Sequence, residues 1–113
     1  MMQVRRRRQQ FSPAGRPFIG KVNPDTFGAP GDACTVTGKR FGAMQGTSTL
    51  TLADNATYNQ AVVKRDCTIV SWADAEIHAT VPSFVGLPQT SYMFVVTSRG
   101  VSNAYPVSLN PVK

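Results

Sequence analysis

Histidine and cysteine are scarce in this chain, with one His and two Cys in 113 residues. Cys34 and Cys67 are too few for a disulfide framework and lack the Cys-x-x-Cys spacing of a structural zinc site. Free thiols are expected, and no metal or other cofactor. Charge is also sparse. Only 16% of residues are ionic, which excludes a coiled coil or a disordered polyampholyte, both far richer in charge. No apolar run approaches the ~18 to 20 residues that cross a bilayer, so no membrane partner is expected. The basic start could imitate the head of an export signal, but Gln9 to Pro17 stands where such a signal needs an apolar stretch, so none is expected. The length allows one ordinary domain.

What charge there is lies unevenly. The formal net charge is +6, and Arg5, Arg6, Arg7, Arg8, Arg16 and Lys21 supply all of it; residues 22–113 hold 6 basic and 6 acidic side chains. A basic arm is therefore attached to a neutral body. Residues 1–17 mix Arg, Gln, Pro and Gly around Phe11 without periodicity and read as an extended arm; residues 18–113 read as the domain.

In the body, short alternating segments recur between turn residues. Phe18 to Val22 reads as a first strand, stopped by Asn23-Pro24, because proline removes a ladder donor. Cys34-Thr35-Val36-Thr37 places Cys34 and Val36 on one face and the threonines on the other. Thr49 to Leu52, Tyr58 to Val63, Thr68 to Trp72 and Glu76 to Val81 read as further strands. Ser91 to Ser98, rich in β-branched and aromatic residues, predicts a central strand, and Asn103 to Leu109 a last one. No window carries a helical apolar stripe free of Gly or Pro. About seven strands with turns every ~8 to 12 residues predict an all-β antiparallel sandwich, although a small closed barrel shares this alternation.

The order of the segments resembles the IPT/TIG domains, which are immunoglobulin-like β-sandwiches. The resemblance rests on Ile19-Gly20-Lys21-Val22-Asn23-Pro24, then Gly28 and Gly31, then Cys34-Thr35-Val36-Thr37-Gly38-Lys39-Arg40-Phe41-Gly42. It continues through Ser71-Trp72-Ala73-Asp74-Ala75-Glu76-Ile77 to Pro82, and ends with Phe94 to Thr97 and Ser102-Asn103. It covers residues 17–111 and implies an immunoglobulin-like sandwich of about seven strands. Gly38 and Gly42 would bracket Phe41 where the chain needs positive φ, letting Phe41 plug the sandwich end. Asp74 would bond its own turn and set the register of the hairpin between Trp72 and Ile77. Many extracellular members pair a cysteine at the position of Cys67 with one that is Ala79 here, so that disulfide is not available. A Cys34 to Cys67 bridge is conceivable, but two buried thiols are the expectation.

Little supports catalysis. His78 alternates with Ile77 and Ala79 and should face solvent, with no acid, Ser or Cys placed to act with it. Asp74 and Glu76 straddle a turn and read as cap and surface charge. Gly38-Lys39 lacks the upstream glycine of a phosphate loop. No enzymatic activity is expected. Trp72 should cover the core edge rather than anchor a partner.

The arm remains as the functional feature. Arg5, Arg6, Arg7, Arg8 and Arg16 could dock their guanidinium forks on carboxylates of neighbouring subunits, with Phe11 and Phe18 as apolar pegs. The leading expectation is a non-enzymatic structural protein of a large assembly, such as a bacteriophage capsid decoration or cement protein residing in the virion. Its partners would be the major capsid or tail subunits, and itself as a homo-oligomer. Two alternatives are a nucleic-acid-binding protein using the arm on phosphates and a surface module binding glycan or a host protein.

Overall fold

A computed structural model describes residues 15–110. The arm residues Arg5, Arg6, Arg7, Arg8 and Phe11 lie outside these. Ten strands form: β1 (Phe18–Asn23), β2 (Thr26–Phe27), β3 (Ala33–Lys39), β4 (Thr49–Ala53), β5 (Lys64–Asp66), β6 (Thr68–Trp72), β7 (Glu76–Thr80), β8 (Thr90–Thr97), β9 (Gly100–Val101) and β10 (Tyr105–Leu109). Among the described residues the only helical element is a single 3-10 turn, Tyr58–Gln60.

The strands form two sheets in the orders β1-β3-β7-β6 and β2-β10-β8-β4-β5, with β9 paired to β8. Every pairing is antiparallel except β2 with β10. This is the ABED and CFG arrangement of an immunoglobulin-like sandwich, extended by a short strand at each edge of the second sheet. β8 lies at the centre of its sheet, as its composition predicts. β5 and β6 are one passage of chain that changes sheets at Cys67, whose N–H still donates to Leu50 O of the second sheet at 2.8 Å.

Strand alternation builds the core. Cys34 and Val36 of β3, Leu50 and Leu52 of β4, Ile77 and Ala79 of β7, Met93 and Val95 of β8, and Val107 and Leu109 of β10 all point inward. In β1 the buried residues are Ile19 and Val22, a spacing that a regular strand would put on opposite faces. A bulge between Ile19 and Lys21 resolves this by inserting one residue into the β1 side of the ladder.

The segment Tyr58 to Val63 is not a strand, contrary to its sequence pattern. Asp54 Oδ1 accepts from Val62 N–H at 2.9 Å and Asn55 Oδ1 from Thr57 N–H at 2.8 Å. These short side chains capture backbone donors that a ladder would otherwise use. The resulting loop lies over the outer face of the second sheet. There Tyr58 meets Phe94 edge-on, with ring centroids 5.2 Å apart, so Phe94 is buried although it points away from the core.

Both cysteines are free and buried. Burial pushes the Cys34 thiol up to about 11. The Cys67 thiol is raised further, first by burial and then by its proximity to Cys34 and Asp66.

Candidate functional site

One end of the sandwich gathers the β3–β4 loop, the β6–β7 turn, the β8–β9 turn and the root of the arm. The β6–β7 turn is tight, with Ala73 N–H donating to Glu76 O at 2.9 Å. It holds the β3–β4 loop through a set of bonds: Gly38 N–H to Ala75 O at 3.0 Å and Phe41 N–H to Asp74 O at 2.9 Å. Gly42 N–H then donates to Asp74 Oδ1 at 3.0 Å, and Trp72 Nε1–H to Phe41 O at 3.1 Å. Phe41 is fully buried and meets Trp72 in a T-shaped contact, so it closes this end of the core and Trp72 covers it. Ile77 is wholly buried opposite Val36 and Trp72. Pro82 is half-buried just past Val81, whose N–H and C=O both bond across to the loop before β3.

Two sequence readings at this end need correction. Asp74 bonds the β3–β4 loop through both its carbonyl and its carboxylate, not its own turn, because a two-residue turn leaves its side chain facing the neighbouring loop. Of the two glycines, only Gly42 has positive φ, at 96°. Gly38 is required for space instead: a Cβ there would lie 1.9 Å from Phe18 O and 2.8 Å from Phe41 Cζ. The second left-handed residue is Arg40, with φ 61°, a conformation that costs a non-glycine residue ~1 to 2 kcal/mol.

The arm's root is tied to this end. Arg16 Nη2 and Nε donate to Val101 O at 2.8 and 3.3 Å, and Arg40 Nε donates to Arg16 O at 2.8 Å. Arg16 thus binds its own chain rather than presenting a free fork. Phe18, by contrast, is 44% exposed. The Ser102-Asn103 pair has a role that its sequence does not specify. Asn103 Oδ1 accepts from Ile19 N–H at 2.8 Å and its Nδ2 donates to Ile19 O at 3.0 Å, so one side-chain amide acts as a strand partner joining the two sheets. Ser102 Oγ accepts from Val95 N–H at 2.9 Å and donates to Asn103 O at 2.8 Å.

These elements enclose a cleft of about 350 Å³ between Gly15, Arg40, Met44, Asp74 and Arg99. A second groove of about 370 Å³ runs between Arg16, Tyr58 and Asn103. A third, of about 400 Å³, lies beside Pro24, Thr35 and His78 on the outer face of the first sheet.

His78 is not isolated, contrary to the sequence reading. Its Nε2 meets Glu76 Oε2 and its Nδ1 lies 3.3 Å from Thr35 Oγ1, because residues two apart on β7 share a face and β3 brings Thr35 opposite. A hydroxyl, an imidazole and a carboxylate in line have the makings of a hydrolytic triad. Here, however, they lie on the face of two central strands whose backbone donors are engaged in ladders with β1, with each other and with β6, not aimed at an oxyanion. Among the described residues no group of three or more His, Cys, Asp and Glu is placed to hold a metal ion, and no helix is long and apolar enough to cross a membrane.

No family model matches the chain. It is similar to cyclomaltodextrin glucanotransferases. That of Bacillus sp. (strain 6.6.3) is 34% identical over 90 residues, 79% of this chain and 11% of that enzyme. That of Paenibacillus macerans is 32% identical over 97 residues, 86% of this chain and 12% of the enzyme. The chain therefore spans about a ninth of the length of these relatives. Among solved structures, a structural genomics protein of unknown function from Bacteroides thetaiotaomicron VPI-5482 superposes with a TM-score of 0.69 at 13% identity, over 90% of this chain and 24% of that one. A putative phosphatase from the same organism gives 0.53 at 14% identity, over 91% and 20%. These likenesses are of fold: the same sandwich occurs as a small part of longer chains.

Proposed function

We propose that this chain is a non-enzymatic immunoglobulin-like module of the IPT/TIG type that serves as a structural part of a large assembly, a virion shell or tail, to which its basic arm anchors it. The observation that carries the reading is the clamp on the arm's root. Arg16 bonds Val101 O and Arg40 bonds Arg16 O, so the chain is fixed to the sandwich at Arg16, eight positions after Arg8 in the sequence. A run of four guanidinium groups in the sequence before that point suits docking on carboxylates of a neighbouring subunit. The similarity to short segments of much longer enzymes agrees with an accessory rather than a catalytic role.

Light scattering after size exclusion tests this on the full chain and on one lacking residues 1–14, which keeps the Arg16 clamp. The full chain should form a species well above its 12.2 kDa monomer or co-sediment with purified virion particles, and the shortened chain should do neither. The proposal falls if both remain monomers and neither sediments with particles.

A second reading follows from the glucanotransferase similarity: a glucan-binding accessory module. Tyr58 is the aromatic residue best placed in a groove to stack on a sugar, but its ring is already engaged by Phe94 and by Lys64 Nζ, 4.5 Å from its centroid. Retarded migration in gels containing soluble starch would favour this reading, and unretarded migration would dismiss it.

A further inference from the structure

We propose that the loop-end cleft is a receptor for an acidic polypeptide segment of a neighbouring subunit, read by Arg40 and Arg99. This rests on the assembly reading above and names the chemistry of its partner. Three arginines from separate stretches of chain meet at this end: Arg16 on the arm's root, Arg40 in the β3–β4 loop and Arg99 in the β8–β9 turn, and Arg40 and Arg99 line the cleft. None of the three makes an ion pair among the described residues, where the one such contact joins His78 to Glu76. Gathering like charges is unfavourable unless an anion lies between them.

The geometry of Arg40 supports a site rather than a chance cluster. It holds a left-handed conformation, φ 61°, where glycine would be less strained. Its Nε is fixed on Arg16 O, which aims the remaining guanidinium donors while leaving them unused by that bond. Asp74, the acid in the cleft wall, already accepts from Gly42 N–H through Oδ1.

Phosphate and carboxylate both suit guanidinium, and the rest of the cleft favours carboxylate on a peptide. Among the described residues no aromatic face in the cleft is offered to a base: Phe41 is buried, and Trp72 packs against it with its Nε1–H committed to Phe41 O. The second oxygen of Asp74 can accept a peptide N–H, a donor that a phosphodiester backbone lacks. Met44, 82% exposed at the rim, offers an adaptable apolar contact to a neighbouring side chain. A volume of about 350 Å³ is at the small end of ligand pockets and suits a short segment rather than a folded surface.

The test is fluorescence anisotropy with dye-labelled hexaglutamate, with hexaglutamine and a short oligothymidine as comparison probes. The proteins are the full chain, an arm-neutralised chain (R5Q/R6Q/R7Q/R8Q), and each with R40Q/R99Q; R99E alone covers the event that changing Arg40 disturbs the loop. Hexaglutamate should bind the arm-neutralised chain, hexaglutamine should not, and affinity should fall about tenfold or more with R40Q/R99Q or R99E. The proposal is overturned if hexaglutamate affinity is unchanged in a folded R99E chain, or if the oligothymidine binds more tightly and depends on Arg40 and Arg99. The two readings fail separately: a cleft that binds hexaglutamate in a chain whose assembly ignores its arm leaves the receptor standing and removes the anchor.

Discussion

Replacing Gly38 by alanine probes how β1, and with it the arm's root, is held. The added Cβ would lie 1.9 Å from Phe18 O and 2.8 Å from Phe41 Cζ, where ordinary contacts begin at 3.4 Å. One obstacle is backbone, fixed by the pairing of Phe18 with Lys39 and Ile19 with Gly38; the other is a ring buried in the core. Relief needs a shift of about 1.5 Å by the start of β1. Overpacking costs ~1 to 3 kcal/mol, and one or two strained ladder bonds add ~1 kcal/mol each. A loss of about 3 to 4 kcal/mol is expected, which lowers Tm by roughly 12 to 30 °C for a domain of this size. Gly20 is the control. Its Cβ would meet nothing closer than Thr37 O at 3.5 Å, so G20A should stay within about 1 kcal/mol of the parent. Urea and thermal unfolding of both variants measure the contrast. If G38A is no less stable than G20A, β1 does not lie against β3 in this register and the reasoning fails.

Other perturbations have equally definite outcomes. N103A removes both bonds to Ile19 and should destabilise by about 1 to 3 kcal/mol, with amide exchange at Ile19 accelerating more than at Val36. W72F deletes the Nε1–H bond to Phe41 O while keeping an aromatic ring, for a loss of about 1 kcal/mol by chemical denaturation. The raised Cys34 thiol predicts a pH dependence. Its contribution is complete below the ordinary thiol value of 9.0 and is lost as pH climbs toward about 11, since the unfolded chain releases that proton first. Stability should therefore fall across that window, and C34A should flatten the slope. Both thiols should react with a disulfide reagent at neutral pH only in denaturant; rapid labelling of the native chain would contradict their burial.

Much of the sandwich was legible because burial repeats with period two. Cys34 and Val36, Leu50 and Leu52, Met93 and Val95 announce their inward faces by alternation, and the turn residues between them mark the strand ends. What escaped were contacts between residues distant in sequence. Gly38 is small because Phe18 and Phe41 approach it, which no local rule for glycine reveals. Asp74 looks like a turn residue and is one, yet its carboxylate serves a loop more than thirty residues away. Asn103 stands in a visible Ser-Asn pair, but its amide partner is Ile19 on the other sheet. Tyr58 to Val63 has a strand's composition, overruled by the Asp54 and Asn55 side chains. The loop-end cleft was invisible for the same reason: Arg40 and Arg99 are 59 positions apart, and only the folded loops bring them together.

Gly15 and Asn110 leave the sandwich at opposite ends of β8, beside Arg99 and Gln89 respectively. That placement has a mechanical meaning. Tension drawn between the two points runs along the strand axes, pulling β1 and β2 one way and β10 the other. The parallel pair β2 and β10, joined by Ser108 N–H to Asp25 O and Asn110 N–H to Phe27 O, both 2.8 Å, is then loaded in shear. Its bonds must yield together, whereas a hairpin pulled open at its end gives them up one at a time. A module tethered at one end and loaded at the other would transmit force as a stiff link.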